Sequence, residues 1–256
     1  MLDIDGSIVL FSLIFMRVFA CIQFNPLFGR TNIPIMVKGG IIMVLTILVY
    51  SVSEPVTIDT GNVIGYAALL LKELAVGYVL GMVFNFFASA IIFAGSVIDY
   101  QMGLSMSSIY DAQSNASISL SATLLNILQM VCFLTTDAHL VVLKIFLTSA
   151  DIVPYGSIRL GPEVASAALH FFAQFISLAL RIAMPMLAVQ LFVEVGMGIL
   201  MKTIPQINIF VVNIQTKILV GLLIILLLFF PMSDFMLDII EVLVQSMRDM
   251  LVTMRG

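Results

Sequence analysis

Seven charged residues stand inside otherwise apolar stretches: Arg17, Lys72, Glu73, Asp137, Lys144, Arg181 and Glu194. Ionised groups in such surroundings pair with one another, line a wet path for ions or protons, or lie outside lipid altogether. Each would cost about 2.5–3.5 kcal/mol at a bilayer centre, so a set of this size is not left bathed in lipid. Arg17 and Glu73 have complementary charge and read first as an interhelical pair. Asp137 and His139 are two residues apart, so on a helix they do not share a face, which argues against a metal site or proton relay there. The other histidine, His170, has no Cys or Ser constellation beside it. There is no His-Glu-x-x-His, nucleophile elbow, phosphate-cradling glycine loop or cysteine cluster. These absences point away from catalysis, cofactors and bound metal.

The elements that carry these charges are very apolar. Of 256 residues, 61% are hydrophobic and 10% charged, with a mean hydropathy of +1.17, against about 25% charged in an ordinary soluble domain. The expectation is an all-α polytopic integral membrane protein of long, kinked helices and helical hairpins. A net charge of −4 gives no case for nucleic acid. Cys21 and Cys132 both lie in apolar runs and read as small core residues. The N-terminus, with Asp3 and Asp5 and no early Lys or Arg, does not read as a secretory leader. The seventeen Met residues read mainly as core filler, with a compliant pore lining as the second possibility.

Six apolar runs follow in order, at residues 7–27, 35–52, 63–98, 120–148, 164–201 and 209–230. The third, at ~1.5 Å per residue, would reach ~54 Å, well beyond a ~30 Å hydrocarbon core. It is tilted and kinked, projects beyond the bilayer, or is a hairpin. Asp137 and His139 divide the fourth, and Pro162 opens the fifth at a favourable first-turn position. Pro185 is expected to bend the fifth, and Pro231 to end the sixth. A separate helix capped at Ser233-Asp234 follows. Its acidic face (Asp234, Asp238, Glu241) and its apolar Phe235, Ile239, Val242 and Met250 suggest packing on a partner protein.

One long polar interruption, residues 99–119, separates the third and fourth runs. Eleven of its residues are Ser, Asp, Asn or Gln, and none is basic. Such a segment cannot face lipid and belongs in water, in a wet cavity or against protein. These features leave two readings: a secondary transporter with broken helices, or an oligomeric pore component.

Particular residues then carry a resemblance. Arg17, Pro26, Phe28-Gly29 and Ile33-Pro34, followed by Glu73-x3-Gly77-x3-Gly81, resemble the N-terminal signature of the FliR family of flagellar type III export-gate proteins. Ala94-Gly95-x3-Asp99-Tyr-Gln101-Met-Gly103-Leu104 is similar to that family's central motif, and Tyr110-Asp111 follows at the expected offset. Ala183-Met184-Pro185, the run Pro205-Gln206-Ile207-Asn208-Ile209-Phe210, Lys217 and Gly221 match further on. The chain departs from the pattern at Ala112 and Gln215, where the family usually has Pro, and at Ala138, where it more often has Gly. The injectisome export apparatus has a related counterpart.

The resemblance implies a structural subunit of the bacterial inner (cytoplasmic) membrane at the flagellar basal body. It would assemble with FliP and FliQ around a channel for unfolded flagellar proteins, with FlhB and FlhA as further partners and membrane lipid around it. Residues 1–160 would be FliP-like, 161–232 a FliQ-like hairpin and 233–256 an amphipathic helix. The loop at 103–119 would help to plug the channel, with Gly103, Leu104, Tyr110 and Asp111 as gate positions. Arg17, Glu73, Pro205 and Asn208 would be assembly contacts.

Overall fold

A computed structural model describes residues 6–26, 33–53, 62–104, 119–158, 161–204 and 209–255. Every regular element among them is helical: α1 (Gly6–Gln23), α2 (Ile35–Val52), α3 (Val63–Met102), α4 (Leu120–Thr135), α5 (Ala138–Leu147), α6 (Ser149–Ile152), α7 (Pro162–Thr203) and α8 (Ile209–Arg255). Five of these are long and apolar enough to cross a membrane, or six if α4 and α5 count as one broken span. The overlong third run is one unbroken helix of 40 residues, about 60 Å by its rise, rather than a hairpin. At Asp137 the fourth run breaks, with φ 54° in the left-handed region, which Asp tolerates better than most residues. As expected, α7 begins at Pro162.

The boundary expected at Pro231 is absent. α8 runs through it for 47 residues, and the Ser233 hydroxyl donates to Phe230 O at 2.7 Å inside the helix instead of capping a new one. The energetic comparison explains this. An internal Pro forfeits one hydrogen bond and costs about 3 kcal/mol. Ending and restarting a helix in apolar surroundings would strip partners from four carbonyls and four amides.

Two compact units make up the chain. The first comprises Met1–Phe87, Asp137–Ala173 and Glu241–Gly256; the second comprises Ala88–Thr136 and Gln174–Ile240.

In the first unit, Leu10, Ile14, Val18 and Ile22 of α1 form a stripe at helical spacing and bury against Ile42 and Val49 of α2. Contacts between α1 and α3 rise along both helices in the same direction. Tyr66 donates to Ser12 Oγ at 2.7 Å, and Glu73 meets Arg17. A Cβ added to Gly77 would come within 2.7 Å of Ala20 Cβ, and one added to Gly81 within 2.9 Å of Phe24 Cβ. The Glu73-x3-Gly77-x3-Gly81 spacing thus puts one acid and two side-chain-free notches on a single face, letting the backbones approach. The end of α8 also belongs here: Leu243, Met247, Met250, Leu251 and Met254 are fully buried. Of the apolar residues expected to pack on a partner protein, the chain itself buries Ile239 and Met250, whereas Phe235 and Val242 are half-buried.

In the second unit, α3 and α4 approach so closely that a Cβ on Gly95 would overlap the Ala122 backbone. Of the tail residues here, Met236 and Ile239 are buried. α7 and α8 pair as an antiparallel hairpin, with Gln190 Nε2 donating to Lys217 O at 2.9 Å and Lys217 ion-paired to Glu194. Much of the rest is exposed and apolar, including Leu191, Phe192, Leu226 and Phe230.

Candidate functional site

Arg17 and Glu73 form a fully buried ion pair in the first unit. Arg17 Nε lies 2.6 Å from Glu73 Oε2, with both side chains at or below 2% exposure. The remaining valences hold the segment after α5. Arg17 Nη1 donates to Val153 O at 3.0 Å and to Ser149 Oγ at 3.3 Å. Gly156 N–H, at φ 81°, donates to Glu73 Oε1 at 2.9 Å. The guanidinium also lies 4.4 Å from the centre of the Tyr155 ring. Burial pushes the Tyr155 hydroxyl up to about 12, with Arg17 acting the other way. Nη2 of Arg17 has no hydrogen-bond partner among the described residues. Two helices and a connection separated by more than fifty residues of chain thus meet on one ion pair. Such a pair specifies an arrangement, because losing one partner strands a buried charge.

The second site is the root of the polar interruption. At its start Gly103, φ 79°, ends α3: Gly103 N–H donates to Tyr100 O at 3.1 Å and Leu104 N–H to Asp99 O at 3.0 Å. This is a Schellman stop, and Gly is there because a side chain is disfavoured at positive φ. At the far end Ser119 caps α4, its Oγ accepting from Ala122 N–H at 3.2 Å. Asp99 joins the two ends. Its buried carboxylate accepts from Ser119 Oγ at 2.6 Å and from Ser121 N–H at 3.1 Å. A carboxylate is favoured at a helix N-terminus, where amides are unpaired and the dipole is positive. Residues 99 and 119 are therefore held side by side, and the segment between them leaves and returns at one place.

Of the sequence-derived candidates, Arg17 and Glu73 come together, and Gly103 and Leu104 stand at the loop root. Tyr110, Asp111, Pro205 and Asn208 lie outside the described residues. Arg17 and Glu73 are both buried inside the first unit. Lys72, Lys144 and Arg181 are exposed. Lys144 sits in the last turn of α5, where the helix dipole favours a cation. Sequence reasoning missed the closing role of Asp99. The signal was present: Ser119 directly before an apolar run is a helix-start pattern. The Lys217–Glu194 pair was missed as well. Among the described residues no group of three or more His, Cys, Asp or Glu could hold a metal.

A family model described as bacterial export proteins, family 1, matches residues 8–243. The chain belongs to that family. Among its relatives it is 27% identical to the flagellar biosynthetic protein FliR of Bacillus subtilis over 249 residues, 94% of each chain. It is 26% identical to FliR of Escherichia coli, over 81% of this chain and 79% of that one. It is 29% identical to FliR of Pectobacterium carotovorum, over 82% and 80%. Family, relatives and membrane-length helices together make this a membrane-embedded, FliR-family subunit of the flagellar export apparatus.

Proposed function

We propose that this chain is a non-enzymatic structural subunit of the inner-membrane export gate. It helps to form the channel for unfolded flagellar proteins, and its polar loop, residues 103–119, helps to plug it. In this reading residues 1–160 are the FliP-like part, 161–232 are the FliQ-like hairpin and 233–256 complete the chain. FliP and FliQ are its core partners, and FlhB and FlhA contact the assembled gate. Gly103, Leu104, Tyr110 and Asp111 are plug positions; Pro205 and Asn208 are assembly contacts, and Arg17 and Glu73 serve assembly through the unit they hold.

The observation that carries the reading is the loop root. A plug must be polar enough to stay wet, yet held at a fixed place. The chain holds both feet of its most polar segment with Asp99, Ser119 and the Gly103 stop. No Lys or Arg occurs between Glu73 and Lys144, so nothing there would retain acidic cargo. A transporter reading drew on the embedded charges. Three of them are accounted for within the fold, Arg17 with Glu73 and Glu194 with Lys217.

The test is mild detergent extraction of the tagged chain from its host, followed by native mass spectrometry. One defined particle with FliP and FliQ is expected. A stable monomer or symmetric homodimer would overturn the proposal.

A further inference from the structure

Within the second unit, α7 and α8 frame an open-sided groove of about 170 Å³. Arg181, Ile182 and Pro185 line one wall, and Pro231, Met232 and Phe235 the other. Its size is below the roughly 300–1,000 Å³ of pockets that enclose compact ligands. An open apolar trough of this kind suits a chain lying along it.

Arg181 is the only charged side chain in the lining. It is exposed in mid-course of a 42-residue apolar helix, flanked by the exposed Leu180 and Met184. No carboxylate among the described residues forms an ion pair with it. The groove therefore combines an uncompensated guanidinium with apolar walls, beside the exposed Leu180 and Met184.

We propose that this groove binds one anionic phospholipid, its phosphate on Arg181 and part of one acyl chain along Ile182, Met232 and Phe235. Arginine suits this role because its planar fork matches phosphate oxygens. The proposal needs membrane embedding only and is independent of the plug.

The test uses host membrane vesicles containing the full tagged chain, so it does not depend on purified assembly. The probes are photoreactive phosphatidylglycerol and its phosphatidylcholine analogue, with labelling mapped by peptide mass spectrometry. The glycerol probe is expected to label residues near 181–185 and 228–236, and the choline probe to stay at background there. Arg181→Gln should lower labelling about tenfold, the loss of one charge-assisted contact. Arg181→Lys, which keeps the charge and loses the fork, should fall between the parent and Arg181→Gln, and Met232→Trp, which fills the trough, should also lose labelling. Equal labelling in Arg181→Gln, or by both probes, would overturn the site. So would a photo-crosslinker placed at Met232 that captures a protein chain in place of lipid.

Discussion

Glu73 holds Arg17 with one carboxylate oxygen, Oε2 at 2.6 Å from Nε, and Gly156 N–H with the other, Oε1 at 2.9 Å. One acid on α3 thereby fixes both α1 and the connection after α6. The same face of α3 then supplies Gly77 and Gly81, whose missing side chains let α1 lie against it.

Breaking this pair from one side strands a buried charge. Arg17→Ala or Glu73→Ala should each destabilise the first unit by about 3–5 kcal/mol. The double variant should cost less than the sum of the two. Cys21, buried one turn after Arg17, supplies the readout: its labelling by a thiol-reactive dye on heating should begin at lower temperature in each single variant. Unchanged onset would show that the pair does not hold the unit.

Gly77→Leu tests the close approach. A branched side chain would overlap Arg17 O and Ala20 Cβ, and overpacking costs about 1–3 kcal/mol. The same thiol assay should show the loss. Gly39→Leu, with open space around it, should show little change.

The loop root makes a separate prediction. Asp99→Ala removes the acceptor of Ser119 Oγ and Ser121 N–H, and loss of a cap costs about 0.5–2 kcal/mol. Spin labels at Tyr100 and Leu120, both exposed and one on each foot, should give a narrow distance distribution in the parent chain and a broad one in the variant. Equal widths would place the closing force elsewhere.

The alkaline limb of stability has a defined sign. Tyr155, raised from 10.0 to about 12 by burial, keeps its proton in the folded chain where the unfolded chain has lost it. Its contribution is complete below about pH 10 and falls between about 10 and 12. Tyr155→Phe should flatten that part of a stability–pH curve. A curve of unchanged slope would assign the alkaline loss to other groups.

Much of this was legible in the sequence. The α2 limits at Ile35 and Val52, the α7 start at Pro162 and the break at Asp137 all follow from local chemistry that tertiary contacts did not override. The Arg17–Glu73 pair was legible from charge complementarity alone. Pro231 was misleading because a propensity rule counts one lost hydrogen bond and not the eight backbone groups that a break would expose. The amphipathic spacing of Phe235, Ile239, Val242 and Met250 was visible, but the buried Leu243, Met247 and Met254 were not singled out, because periodicity does not say what covers a face. Asp99 stood out only as part of a motif, without a structural role. Its role depends on Ser119 and Ser121, twenty and more residues away.

The most direct test is the ion permeability of resting host membranes carrying the gate with residues 105–117 deleted from this chain. Co-purification with FliP and FliQ is scored in the same cells. Normal assembly together with a clear rise in small-solute leak is expected. Normal assembly with membranes as tight as the parent's would contradict it.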